Sequence, residues 1–500
     1  AEGGEAWQAI ANEYDSIEED MELSLEGFDG KLKTFQGKGV SWLAQLYRIG
    51  LGGILADDMG LGKTVQILAF LNHLRKTDEK RLHLVVVPTS LIHNWKSEAE
   101  KFTPDQTVFT YKSGLQNELR MLDRGIVLVT YGLLTEQQEL FQEKDWDVII
   151  FDEAQQLKNI KSMRSQAARN IKAKAKICLT GTPMENHYGE FFSLIDLSVP
   201  GALGDHSAFM KIYGPRKVSV GEVGKKEIDY LKLKSKPLVL RRTKDEVLKE
   251  LPDKTESIVK IDFDEQQREI YRNVALSWNS KVQKILVDQG ESKSQIQMFA
   301  ALMKLRQVCS CPDVVVGNEY KVLSPKLSLV VERAEELLSS NKSVLIFTNF
   351  ISTLDSIKKE LKKRNLNVLS ITGKDSQKKR EQTLNEFNED GHKALVMTLK
   401  TGGVGLNLTK ANYIIHVEPW WNPAAENQGT DRAHRIGQKQ SVHVYRYIMN
   451  NSIEEKIQTL KEAKQEAFNL LLVEDTDAID SASFKGGTGL TKKDFEYLLS

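Results

Sequence analysis

The chain lacks a net charge: 69 lysines and arginines stand against 69 aspartates and glutamates in 500 residues. A global positive excess is therefore excluded as a source of affinity for polyanions, which has to come from a local cluster instead. Cysteine is scarce, with three residues. Cys178, Cys309 and Cys311 form no Cys-x-x-Cys pair and have no histidine at zinc spacing, so they read as reduced, intracellular thiols, not metal ligands. No apolar run approaches the roughly 18–20 residues that a membrane span needs, and the first residues lack the basic-then-apolar shape of a signal peptide. With Ala1 where an initiator methionine would stand, the expectation is an intracellular fragment of a longer protein with no membrane partner.

What is present is an ordinary apolar fraction of 40%, spread over enough residues for two to four domains at roughly 100–200 residues each. Residues 84–87, 126–129 and 148–151 are short continuous β-branched runs, the pattern of strands buried on both faces of a parallel sheet. The same pattern returns at 344–347, 368–371, 394–397 and 413–416, again separated by amphipathic stretches such as 354–364. This predicts an α/β fold of two doubly wound parallel-sheet lobes, at 28–204 and 325–450. Residues 205–324 lose the buried-strand signal and read as a helical insertion, with Gln266–Leu286 and Ser294–Gln307 apolar at three- and four-residue spacing. Residues 1–27 form an acidic segment. The C-terminal part, 451–500, opens with an amphipathic helix, Ile453–Leu472, whose apolar side carries Ile453, Ile457, Leu460, Ala463 and Ala467. It ends in an acidic, Gly/Ser-rich tail.

Residues 54–64 read as a strand, a glycine-containing loop and the opening of a helix, the context that a phosphate-binding loop requires. Gly60 and Gly62 let backbone amides approach phosphates, Lys63 reaches the β- and γ-phosphates, and Thr64 offers a hydroxyl to magnesium. The first glycine of the generic pattern is Asp57 here. Residues 148–153 end an apolar strand with two adjacent carboxylates. Asp152 suits the magnesium shell and Glu153 the polarisation of an attacking water, although two acids after a strand are also the pattern of a solvated loop.

Taken in order, these motifs resemble helicase superfamily 2, and within it the Swi/Snf-type ATPases, over about residues 30–470. Residues 32–36 with 39–43 are similar to the family's adenine-reading motif, which puts Gln36 on the base. Asp58, Met59, Gly60, Leu61, Gly62, Lys63 and Thr64 match its form of the phosphate loop. Residues 87–95, Thr130 with Tyr131, and 179–186 resemble further motifs of the first half. In the second half the likeness is carried by 240–244, 251–254, 305–309, 402–407, 421–423 and 428–438. Two positions depart from the family pattern: Gln155 stands where related helicases carry histidine, and Cys311 where a histidine precedes proline.

The resemblance implies two RecA-like lobes with a helical insertion between them and a C-terminal helical brace. ATP and Mg2+ are the implied cofactors, with Thr64 and Asp152 at the metal. Lys63, Asp152 and Glu153 would act with Arg435 as arginine finger and Arg432 as its assistant, and Gln428 would also touch the nucleotide. The ATP would be hydrolysed between the lobes as they close. The alternative for the arginines is a surface ion pairing with Asp431 and Glu426. Double-stranded DNA is the implied partner, gripped through its phosphates by Thr89, Asn94 and Thr130 in the first half and Asn349, Lys400, Gly402 and Trp421 in the second. A threonine after a strand is equally a helix cap. Arg241, Arg242 and Lys244, near Lys232, Lys234 and Lys236, form a basic stretch that is either a DNA contact or a solvated face. The activity implied is DNA-stimulated ATP hydrolysis by a monomeric motor that moves along duplex DNA and displaces a bound protein of unknown identity. It would work in the cytoplasm or nucleoid if bacterial, in the nucleus if eukaryotic. A strand-separating helicase and a nucleotide-gated clamp or scaffold are the alternatives.

Overall fold

The computed structural model describes residues 23–184, 188–214, 225–247, 252–288, 291–317, 320–389, 391–402 and 408–472. Residues 1–22 of the acidic segment, 403–407 of the second half's glycine motif, Glu185, Asn186, Leu251 and the tail from 473 lie outside the described residues. Two units follow one another, the first comprising the described residues up to 247 and the second those from 252 to 467.

The first unit is built on seven strands: β1 Gly53–Leu55, β2 Leu82–Val87, β3 Val108–Thr110, β4 Gly125–Thr130, β5 Trp146–Asp152, β6 Ala173–Leu179 and β7 Val239–Leu240. They lie in the order β3-β4-β2-β5-β6-β1-β7 and every pairing is parallel. All their C-terminal ends therefore open on one edge, where an open α/β sheet collects its ligands. β2 is buried throughout, as its continuous apolar run requires. The register places Leu240, Leu55, Leu179 and Asp152 in one row across β7, β1, β6 and β5. The helix Lys63–Thr77 packs Ile67, Leu68, Phe70 and Leu71 into one core with Val85, Val87, Ile150 and Ile177. Each such fully buried side chain contributes about 1.5–3 kcal/mol.

The second unit carries six strands: β8 Lys254–Ile261, β9 Val344–Thr348, β10 Val368–Ile371, β11 Ala394–Thr398, β12 Tyr413–His416 and β13 Val442–Met449. Their order is β10-β11-β9-β12-β13-β8, again parallel throughout. The helices Glu265–Asp288 and Glu291–Ser310 run beside one another. Ile453 and Ile457 of the helix Ile453–Leu472 enter the core of this unit.

Residues 205–324 are not helical alone: they supply β7 to the first sheet and β8 to the second. β7 is only two residues long, and β8 is an edge strand of sequence Lys-Thr-Glu-Ser-Ile-Val-Lys-Ile with mostly exposed positions, so neither leaves a buried apolar run to read. No described helix is long and apolar enough to cross a membrane.

Candidate nucleotide site

The row across β5, β6 and β1 brings the sequence-predicted groups to one edge of the first sheet. The chain leaves β1 into the phosphate loop, β5 into Asp152 and Glu153, and β6 into Thr180. Gly62 adopts the left-handed conformation (φ 82°) as it caps the helix Lys63–Thr77, and a Cβ there would meet Gln36 Nε2 at 2.6 Å. The first amides of that helix and its dipole are thereby aimed out of the loop. Lys63 Nζ donates to the carbonyl of Asp57 (2.5 Å) and lies 3.4 Å from that of Asp58. Asp58, Met59 and Gly60 are partly exposed along the loop, as is Thr64 on the helix, while Leu61 is buried.

Gln36 is buried beside the loop. Its carboxamide donates to the carbonyl of Leu61 (3.0 Å) and accepts from the amide of Lys33 (2.9 Å). The same atoms that the resemblance assigns to a base are here bonded to backbone.

Asp152 is buried, and its two oxygens are served separately. The Trp95 indole donates to Oδ2 (2.7 Å) and the amide of Glu153 to Oδ1 (2.9 Å), while the Tyr131 hydroxyl donates to its carbonyl (2.7 Å). Burial, and then the adjacent Glu153 carboxylate, push the Asp152 pKa upward. Glu153 itself sits at φ 50°, ψ 50°, a conformation that costs a non-glycine residue on the order of 1 kcal/mol or more and that clusters at functional sites. Gln155 Nε2 donates to Glu153 Oε2 (2.7 Å), and Gln155 Oε1 accepts from Thr180 Oγ1 (3.0 Å). Thr180 Oγ1 in turn accepts from the amide of Thr182 (3.0 Å). One amide thus joins the acid pair to the loop after β6. The sequence marked Gln155 as a departure bearing on how the acid pair communicates with Thr180 and Thr182, and the bridge lies there; the roles of Trp95 and Tyr131 needed the strand order, which sets β2 beside β5 and β4 beyond β2.

The basic stretch after β7 faces this same edge. Arg242 is bound bidentately to Asp57, Arg241 lies 3.8 Å from an Asp58 oxygen, and the amide of Lys244 donates to Asp58 (3.2 Å). Arg241, Arg242 and Lys244 are thus drawn toward the phosphate loop's carboxylates and largely buried, which corrects their reading as a solvated face; Lys234 and Lys236 are exposed.

The remaining predicted residues divide between the units. Thr89 is exposed in the turn after β2, Asn94 donates to Glu98 (3.2 Å), and Thr130 Oγ1 accepts from the amide of Leu133 (3.3 Å) as the cap of the helix Tyr131–Glu136. In the second unit Asn349 is tied to Glu418 through both its amides. Trp421 is buried, stacked on Trp420 at 3.9 Å and against the Arg306 guanidinium at 5.1 Å, which leaves little of the ring for a duplex. Lys400 and Gly402 lie on the short helix Leu399–Gly402, their side chains outside the description. Gln428 lies partly exposed on the helix Pro423–Thr430; Arg432 is buried and Arg435 partly exposed just beyond it. Glu426 accepts from Arg446, from Lys461 and from the amide of Trp420.

An all-parallel sheet with a phosphate loop on β1 and an acid pair on β5, followed in the chain by a second parallel sheet, defines a P-loop protein of the helicase kind. A family model, the SNF2-related domain, matches residues 35–314, and the helicase conserved C-terminal domain matches 329–437. The chain belongs to the SNF2-related, Swi/Snf-type family of superfamily 2 ATPases. It is 35% identical over 457 residues to an uncharacterized ATP-dependent helicase of Mycoplasma pneumoniae, covering 90% of this chain and 43% of that protein. It is 36% identical over 456 residues to the putative ATP-dependent helicase/translocase YwqA of Bacillus subtilis, covering 88% and 48%. Against the ISWI chromatin-remodeling complex ATPase ISW1 of Saccharomyces cerevisiae, identity is 30% over 463 residues, covering 89% and 41%. The chain thus spans less than half the length of these relatives.

Proposed function

We propose that the chain is a DNA-stimulated ATP hydrolase that translocates along double-stranded DNA and displaces bound protein. The observation that carries the hydrolase part is the row Leu55–Leu179–Asp152, which delivers a phosphate loop, a strained acid and the Gln155–Thr180 bridge to one sheet edge. In this reading Gly60, Gly62 and Lys63 hold the phosphates, Gln36 contacts the adenine, and Glu153 orients the attacking water. Arg435, assisted by Arg432, neutralises charge on the transferring phosphoryl, and Gln428 touches the nucleotide.

The donor set fits a hard cation that keeps most of its own water: one carboxylate, Asp152, with its orientation fixed by Trp95 and the Glu153 amide, and one hydroxyl, Thr64. Thr64 and Asp152 would hold Mg2+, which supplies charge neutralisation for the phosphates. Nucleic acid as the partner is supported by the relatives named helicase, translocase and chromatin-remodeling ATPase, and its duplex form by the family resemblance of the sequence motifs.

The test is ATP turnover with no nucleic acid, duplex DNA, single-stranded DNA and RNA, run beside triplex-displacement and strand-displacement assays. Stimulation by duplex with triplex displacement and no unwinding is the expected result. Unwinding of a blunt duplex would make the chain a strand-separating helicase, and ATP binding without turnover would make it a clamp.

A further inference from the structure

Where a generic phosphate loop has its first glycine, this chain has Asp57, with none of its surface exposed. A buried carboxylate at the mouth of a site for a triphosphate is repulsive unless it is neutralised. Its partner comes from 185 residues further along the chain. Arg242 Nε donates to Asp57 Oδ1 (2.9 Å) and Nη2 to Oδ2, while Gln66 Nε2 donates to the same Oδ2 (3.0 Å). The guanidinium's other bonds reach Gln66 Oε1 (2.8 Å) and the carbonyl of Phe35, next to Gln36. One side chain therefore ties together the phosphate loop, the helix that begins at Lys63 and the helix Thr34–Arg48 that carries Gln36. The backbone follows: the amide of Ala56 donates to Leu240 (2.7 Å) and that of Asp58 to Arg242 (3.0 Å), so the chain after β7 continues alongside the loop. Space has been kept for this arrangement at Gly39, where a Cβ would stand 2.0 Å from Gln66 Oε1 and 2.7 Å from Arg242 Nη2.

We propose that Arg242 is a positioning residue of the nucleotide site, which sets the phosphate loop and cancels the charge of Asp57 so that the loop accepts a triphosphate. It acts through Asp57, Gln66 and Phe35 and touches no reacting atom. The inference rests on the nucleotide-site reading above, and its test separates the two.

Isothermal titration with Mg-ATPγS is run on the wild-type chain, Lys63→Ala, Arg242→Lys, Arg242→Met and Arg242→Met/Asp57→Asn, with a thermal melt of each. Arg242→Met is expected to weaken binding at least tenfold, and the double variant to recover to within threefold of wild type, because removing the carboxylate's charge removes the need for the guanidinium. Arg242→Lys keeps the charge and is the variant least disposed to unfold. It is expected to lose three- to tenfold, since an ammonium cannot serve Asp57, Gln66 and Phe35 from one plane. In turnover assays the Arg242 variants raise KM while kcat at saturating ATP stays within threefold, a split that general loosening of the fold does not produce. Wild-type affinity in Arg242→Lys overturns the proposal, as does a folded double variant that recovers nothing. If the wild type does not bind, or Lys63→Ala binds equally well, it is the nucleotide-site reading that fails.

Discussion

Glu153 and Gln155 make the site's chemistry a matter of two side chains. Glu153 holds a left-handed backbone at the end of β5, and the Gln155 amide donates to one of its carboxylate oxygens. Glu153→Gln should retain ATP binding and lose hydrolysis by about a hundredfold or more, the usual range for removing a positioned base; a titration beside a turnover assay checks both halves. Gln155→Leu should leave ATP affinity within twofold and lower kcat by roughly tenfold, which is what a lost hydrogen bond to a charged group amounts to. Equal turnover in Gln155→Leu would show that the link to Thr180 is idle. At this scale the sequence disclosed the groups that point at a ligand, because loop glycines, a lysine and paired acids occur in a fixed local order. It did not disclose what holds them. The partners of Asp152 and Asp57 are Trp95 and Arg242, 57 and 185 residues away, and only the strand order brings them near.

The strands that were legible, such as β2, β5 and β9, are those buried on both faces. Those not read are β3, β6, β7 and β8, which are short, lysine-interrupted or at an edge, and β13, an inner strand whose apolar run is broken by His443 and Arg446. Elements of the second unit are also joined by charge. Lys326 on the helix Pro325–Ser339 and Glu454 on the helix Ile453–Leu472 form an ion pair with no exposure on either side, and Glu454 also accepts from the amide of Met449. Lys326→Met should destabilise the second unit by on the order of 3 kcal/mol, and adding Glu454→Gln should restore most of it, as followed by urea unfolding. Acid should act on the strands through two histidines. Burial, and then the charge of Arg446, lower the pKa of His416 in β12 to about 3, and burial lowers that of His83 in β2 to about 4. Both are lower folded than unfolded, so the stability they contribute is complete above about pH 6.5 and declines as pH falls toward 3 to 4, by roughly 2 kcal/mol each at pH 5. A melting temperature that falls from pH 7 to pH 5, with a shallower fall in His416→Gln, is the expected record.

For the whole molecule, equal numbers of acids and bases mean that attraction to a duplex has to be local and short in range. Affinity for duplex DNA should nonetheless fall steeply with salt, by at least tenfold between about 50 and 200 mM, because each phosphate contact releases a counterion. A flat response in a binding titration would mean that the backbone is not what is gripped. The two-residue strand β7 has a further bearing on how the polypeptide can be dissected. A recombinant first half that stops where the predicted helical insertion begins, at residue 204, forfeits the last strand of its own sheet and strands Asp57 without its guanidinium. The usable seam for making such a half lies past Val247, and a shorter truncation would be expected to bind nucleotide poorly even with every loop residue intact.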